Sequence, residues 1–393
     1  MAKGRPLESE AQGVLPFTLD EYRERLTKVR RLMAERGVDV LVLTTPENIY
    51  YVSGYQTTGY YIYQALVIPR DGAPQFVVRK FETTNVQGTS WLKDGFGVED
   101  WEDPLDVTVR AVEMCGGREG SMGFEDRGFF LPPAILDGLR SRLPRARFVP
   151  AGGIVEACRV VKSAAEIGYV RKAAAAAVAG LKAGLPEVRP GRTENHVAGA
   201  IYAGMLRAGS EYPSSQPYVV TGLRAALGHA SYAGHKIRKG DLVYIEAGGC
   251  IRRYGGAIMR MVSVGKPSAE AKKTASVVLA ALNAIIGAIR PGVTSGSVDQ
   301  AGRRIVEEAG LGRYWLHRTG YSIGVGFPPG WGEGHIFDLK PHDERKLQPG
   351  MTFHLVPLLL IPDMGAMGFS ETVLVTKNGC EVLTRTPRRL LVK

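Results

Sequence analysis

The chain has 393 residues, of which 45% are apolar and 23% charged, an ordinary balance for a soluble globular protein with a sizeable core in two domains or one large two-part enzyme. A formal net charge of +11 raises nucleic acid as a partner. The basic residues are scattered, as in RERLTKVRR and TPRRLLVK, so a solvated basic surface is expected and nucleic acid is not. Cys115, Cys158, Cys250 and Cys380 lie far apart without CxxC spacing, which argues against a zinc site or disulfide framework and for reduced thiols in the cytoplasm. MAKGRPLESEAQG has no apolar core for a signal peptide, and no run approaches the roughly 18 apolar residues of a membrane span, so no membrane association is expected.

Residues 1–16 are polar and contain Gly and Pro, and a frayed terminus is expected there. Thr18 with Glu21 predicts a capping box. It opens a helix with an apolar stripe of Tyr22, Leu26, Val29 and Met33, closed by Gly37. VDVLVLTT (38–45) predicts a buried strand, and ALVIP and PQFVVRK flank a turn at Asp71-Gly72. Between the first two strands PENIYYVSGYQTTGYYIYQ (46–64) carries six tyrosines and reads as a long loop. This alternation predicts a small α/β domain over 17–155. A second capping box, Ser163 with Glu166, opens an Ala-rich helix at the head of a second domain, 156–393. Helices are predicted over 193–208, 267–289 and 296–309, and strands in QPYVVTG, LVYIEAG, AIMRMVSVG, TFHLVPLLLI and ETVLVT. The expected class is α+β.

The stretch with the most chemistry is IEAGGCIRRYGGAIMR (245–260). It reads as a strand ending in Glu246, a turn supported by Gly248-Gly249, and a return strand through Tyr254 and Arg260. A glutamate after VYI on a buried strand is costly without a role or an ion pair with Arg252, Arg253 or Arg260. This hairpin resembles the central hairpin of the creatinase, prolidase and methionine aminopeptidase family, and RVVKSAAEI resembles the entry to that family's catalytic half. The resemblance implies a creatinase-like N-terminal domain followed by a pita-bread catalytic domain. The family's metallopeptidases use five metal ligands. By this alignment the first position is Glu246, the next three are Ala257, Tyr321 in GYSIG and Val356 in PGMTFHLVP, and the last survives as Glu371 in GFSETVLVT. Two separated carboxylates are too few donors for a metal pair, so neither metal nor other cofactor is expected.

The resemblance extends to metal-free hydrolases of small C–N compounds. The creatine-cleaving members carry glutamates at the positions of Met259 and Val356 and an arginine near Ile62, all absent here. The cyclic-amidine hydrolases are closer, through YYVSGY, EAGGCIRRY, RTGYSIGVGFPPGWGE, GMTFH, the SET of Glu371 and TPRRLLVK. They imply Glu246, Glu371 and His229 (in LGHASY) as catalytic residues, with Glu246 attacking the amidine carbon, Glu371 holding the ring nitrogens and His229 moving protons. Tyr60, Tyr61, Tyr321, Phe327 and Trp331 are candidates for walling a small zwitterionic or cationic substrate, and His354 joins them. The family also implies a homodimer whose tyrosine-rich loop reaches the partner's site. Another small-molecule C–N hydrolase and a non-catalytic, peptide-binding relative stay open. GYSIG also fits a serine-nucleophile elbow, but VGFPPGWGEG cannot start the helix an elbow needs.

Overall fold

The computed structural model describes residues 15–393, so the terminus expected to be frayed lies, up to residue 14, outside the described residues. The chain divides into two compact units after Arg159. The first is a six-stranded mixed sheet in the order β4-β3-β2-β1-β5-β6, built from β1 (Val40–Leu43), β2 (Ala65–Pro69), β3 (Gln75–Arg79), β4 (Gly95–Val98), β5 (Ser121–Phe124) and β6 (Arg147–Pro150). Its first helix, Leu19–Glu35, starts where the Thr18 hydroxyl accepts the Glu21 backbone N–H. The Glu21 carboxylate binds Arg25, and the stripe Tyr22, Leu26, Val29, Met33 is buried as expected.

The tyrosine-rich segment departs from its reading as one loop. Pro46–Ser53 is a helix with Tyr50 and Tyr51 buried, ended by Gly54 in the left-handed region at φ 79°. Glu125 caps it, its Oε2 accepting the Thr44 and Thr45 backbone N–H groups at 2.5 and 2.7 Å. That partner comes from β-sheet neighbours far along the chain, where local pattern cannot show it. Only the part beyond Gly54 is irregular.

The second unit is organised by a long hairpin, β8 (Leu242–Ile251) and β9 (Tyr254–Ser263), in unbroken register from Leu242↔Ser263 to Ile251↔Tyr254. The turn is Arg252-Arg253, both at positive φ (49° and 61°), rather than Gly248-Gly249. The two glycines are inside the strand for steric reasons. A Cβ on Gly248 would stand 2.4 Å from the Trp331 ring, and one on Gly249 would stand 2.3 Å from the Ala173 carbonyl. On the opposite strand a Cβ on Gly256 would stand 2.4 Å from the Ala174 nitrogen. The Ala-rich helix Ala164–Gly184 therefore lies almost backbone to backbone on the hairpin, which explains its alanines. Its capping box forms in both directions between Ser163 and Glu166.

Around the hairpin runs the sheet β17-β9-β8-β7, with β7 (Tyr218–Thr221) and β17 (Leu391–Val392). A second sheet, β11-β10-β12-β15-β16, contains β10 (Gly320–Ser322), β11 (Asp338–Leu339), β12 (Thr352–Leu355), β15 (Glu371–Val375) and β16 (Cys380–Val382). A small pair, β13 (Leu358–Ile361) with β14 (Gly365–Gly368), completes the strands. The helix Ala269–Ala288 is long and apolar enough to cross a membrane, but its Val278, Ala281, Leu282 and Ile285 face belongs to the main core cluster of this unit. The expected α+β class is the observed one.

A long internal repeat accompanies the two sheets. RPGRT (189–193) and RPGVT (290–294) each end in the N-cap threonine of a 14-residue helix, Glu194–Arg207 and Ser295–Glu308. Thr193 bridges Lys236, and Thr294 bridges Lys346. The interval from Lys236 to Lys346 also carries Gly240 to Gly350, both at positive φ, and β8 to β12.

Placing a methyl at Gly256 forces helix and hairpin apart. Gly256→Ala should lower unfolding free energy by roughly 2–3 kcal/mol. Gly287→Ala, in the Ala269–Ala288 helix with open space around it, should raise it by about 0.5–1 kcal/mol. Urea denaturation of both variants checks the pair; equal effects would refute the packing account.

Candidate active site

Glu246 sits mid-hairpin on β8, opposite Tyr218 on β7 and Met259 on β9, and is 6% exposed. Its Oε2 accepts the hydroxyl of Tyr244, two residues back on the same strand face. Its Oε1 accepts no hydrogen bond among the described residues. None of Arg252, Arg253 and Arg260 pairs with it. Arg253 is buried between Tyr212 and Phe327 and donates to the Gly326 carbonyl and the Ser214 hydroxyl, while Arg260 turns the other way. A carboxylate buried without a cation is held towards its neutral form. Desolvation pushes the Glu246 pKa up to about 7, against the partial relief of the Tyr244 bond.

The facing wall is a relay of hydrogen bonds across β10 and β12. Trp331 Nε1 donates to the Tyr321 hydroxyl (3.0 Å), which meets His354 Nδ1 (2.9 Å), and His354 Nε2 meets the Ser370 hydroxyl (2.7 Å). Indole N–H only donates, so the arrangement that satisfies every group has Tyr321 donating to Nδ1 and the Nε2 proton donated to Ser370. Burial, aided by Arg318, pushes the His354 pKa down to about 3, so the imidazole is neutral. Its Nε2 lies 3.9 Å from Glu246 Oε1, a neighbour rather than an ion pair. Tyr218 stands edge-on to Trp331 at 5.8 Å and completes the aromatic lining with Ala257 and Ile323. Glu246, Tyr321, Trp331 and His354 are thus brought together.

Other expected residues have partners of their own. Glu371 does not join Glu246. It alternates with Ser370 and Thr372 along the chain, and it is Ser370 and not Glu371 that reaches His354. The Glu371 carboxylate, fully buried, binds Arg260 Nη2 at 2.7 Å, accepts the Thr384 hydroxyl, and has Arg388 Nε at 3.5 Å. Burial raises its pKa and the Arg260 guanidinium opposes that shift. This is an internal clasp. It borders an open cavity of about 630 Å³ whose lining includes Glu371, Cys380, Thr384, Thr386 and Arg388 and does not include Glu246. His229 is exposed at φ 58° in the loop after Gly222–Ala226, with no hydrogen bond or ion pair to Glu246 among the described residues. Phe327 is buried against Arg253 rather than beside Glu246. Tyr60 and Tyr61 belong to the first unit, Tyr60 against Phe130 and Tyr61 80% exposed. Ser322 is buried on the Lys162–Glu333 ion pair with no helix after it, so the elbow reading falls. Sequence reasoning missed Tyr244, Tyr218, Ser370 and Arg318. The alternation Tyr244-x-Glu246 was the one available signal.

The donors do not suit a metal pair. Glu246 brings one carboxylate to His354 and Tyr321, Ala257 and Val356 offer no donor, and both His354 nitrogens are engaged. Among the described residues no group of three or more His, Cys, Asp or Glu side chains is placed to hold an ion.

Against known proteins, residues 168–377 match metallopeptidase family M24, and residues 25–161 match the creatinase/prolidase N-terminal domain. The chain is 32% identical to an ectoine hydrolase of Halomonas elongata over 96% of its own length and 99% of the relative's. It is 28% identical to an Xaa-Pro dipeptidase of Pyrococcus horikoshii, covering 95% and 100%. The crystal structure of dipeptidase PepE from Mycobacterium ulcerans superposes with a TM-score of 0.82 at 28% identity, covering 96% and 99%.

The raised pKa of Glu246 has a thermodynamic consequence. Between its ordinary value of 4.5 and about 7 the folded state keeps a proton that the unfolded chain has released, so stability falls as pH rises through that window. Glu246→Gln removes the effect. Its unfolding free energy relative to the parent should be near zero at pH 4 and about 3 kcal/mol higher at pH 8. Thermal or urea unfolding at both pH values measures this, and a pH-independent difference would contradict it.

Proposed function

The chain belongs to metallopeptidase family M24, with a creatinase-type N-terminal domain before a pita-bread domain, and from that footing we propose that this hydrolase opens a small cyclic amidine without a metal ion, converting ectoine to N-acetyl-L-2,4-diaminobutyrate. The observation that carries the reading is Glu246. It is one buried carboxylate, poised near neutrality, lined by Tyr218, Tyr321 and Trp331 and without a cationic partner among the described residues. Such a group binds best a ligand that brings the cation itself. An amidinium does so, and its approach lowers the Glu246 pKa and ionises it in the complex. The similarity to the ectoine hydrolase favours this substrate over a dipeptide, and the unsuited metal donors weigh against metallopeptidase chemistry.

The chemistry follows from which oxygens are free. Oε1, unoccupied by protein donors, attacks the amidine carbon, forming a C–O bond as the C=N electrons move to nitrogen. The ring C–N bond then breaks as the departing nitrogen takes the Tyr244 proton, and the phenolate this leaves, made strongly basic by burial, is the base that draws a proton from the attacking water. Water attacks the same carbon, returns a proton to Tyr244 and releases Glu246, leaving the acetyl group on the other nitrogen. The neutral His354, held between Tyr321 and Ser370, keeps this wall rigid without adding a charge that would repel the cation. The reading extends to a homodimer in which the exposed Tyr61 of one chain covers the other's site.

Glu246→Gln should reduce turnover of ectoine at least about a thousandfold while leaving binding measurable. The kcat/KM of the parent should rise with pH through a pKa near 7, and chelators should leave it unchanged. NMR of the reaction and mass spectrometry of quenched samples check these. Full activity in the Gln variant, or activity that depends on added metal, would overturn the reading.

A further inference from the structure

A positive charge lies against this wall in Arg318, at the start of the segment leading into β10. Its guanidinium lies 4.7 Å over the Tyr321 ring. Tyr321 feels both charges of the site, since Glu246 raises its hydroxyl pKa and Arg318 lowers it. Arg318 and Glu246 do not pair with each other, because the Tyr321–His354 couple stands between them. Arg318 is 41% exposed, and its only ion-pair partner among the described residues is Asp338, at 2.8 Å from Nε. Its two Nη nitrogens make no hydrogen bond to the described residues. The outer edge of the fork is therefore unspent, and that edge is what a carboxylate grips in a bidentate way. The neighbouring His317 has its pKa lowered, chiefly by burial and then by charges that include Arg318.

We propose that Arg318 is a specificity-determining residue that anchors the substrate's carboxylate while Glu246 takes its cation. This rests on the amidinium reading for the cationic end and adds the anionic one. Two opposite protein charges kept apart by neutral aromatic rings match a small zwitterion whose own charges are kept apart by a short ring. They disfavour a plain cation, which leaves Arg318 unanswered, and a plain anion, which faces a carboxylate. A residue that merely packs on Tyr321 would not distinguish a carboxylate from its amide.

The test is binding, which needs no turnover. Isothermal titration at pH 7.5 would compare ectoine, its carboxamide and the decarboxylated ring amidine on the parent, Arg318→Lys and Arg318→Gln. The parent should prefer the carboxylate over the carboxamide by roughly 10–100-fold, the size of a charge-assisted bidentate pair. Arg318→Gln should lose that preference while binding the decarboxylated amidine within about twofold of the parent, and Arg318→Lys should keep part of it. If Arg318→Gln weakens all three ligands alike, or keeps the preference, Arg318 is structural and the inference falls. If the parent binds none of the amidines, the amidine reading fails, and Arg318 is then read on short dipeptides and their C-terminal amides. Loss of carboxylate preference in Arg318→Gln on that panel upholds the anchor. A parent with no carboxylate preference on either panel overturns it.

Discussion

The second unit turns on Arg260. All of its side-chain nitrogens are used: Nε donates to the Pro387 carbonyl, Nη1 to the Met259 and Ser370 carbonyls, and Nη2 to Glu371 and Thr386. One guanidinium thereby ties β9 to β15 and to the segment 384–388. A buried pair of this kind is weak evidence for net stability, because desolvation offsets most of the attraction. Its constraint is stronger than its contribution. Removing either partner would strand a buried charge without its countercharge, so both are fixed in position and in charge. The clasp also consumes Glu371, and Glu246 faces the neutral wall without it.

That division explains the character of the site. Among the described residues the polar groups set around Glu246 are the Tyr244 and Tyr321 hydroxyls and the neutral His354 imidazole, with the Trp331 indole behind them, and each can orient a dipole without supplying a full charge. A carboxylate so surrounded cannot ionise cheaply on its own, which is why its pKa climbs to about 7. Water access would undo this, and the rings of Tyr218, Tyr321 and Trp331 limit it. Trp331 in turn has its place only because residue 248 has no side chain. The glycine in the strand and the charge state of the glutamate two residues earlier are parts of one arrangement.

Much of this was legible in the sequence, and the failures have a common cause. The hairpin strands, the Leu19–Glu35 and Ala164–Gly184 helices with their caps, and the α+β class follow from periodicity and capping residues, which are local. What failed depended on partners distant in sequence. Gly248-Gly249 looked like a turn because the Trp331 and Ala173 that exclude a Cβ there are not sequence neighbours. Glu371 looked catalytic because its chemistry is right, but successive residues of a strand point to opposite faces. The neighbouring Ser370 faces His354, so a choice of one residue decided the assignment. His229 lay on an exposed loop for which no pattern predicts direction.

The internal repeat suggests why the site is so lopsided. The interval that carries Lys236 to Lys346 and β8 to β12 carries Tyr244 to His354 and Glu246 to Val356. The two halves present equivalent positions, and in a symmetric filling they would bring carboxylates together. Two such groups would repel unless a cation sat between them. Here one half keeps the tyrosine and glutamate, and the other presents a neutral histidine and a valine. The repulsion is removed by side-chain choice on one side alone, without altering the backbone that positions both. A framework able to hold two charges then holds one, and the countercharge it lacks has to come from the molecule that binds.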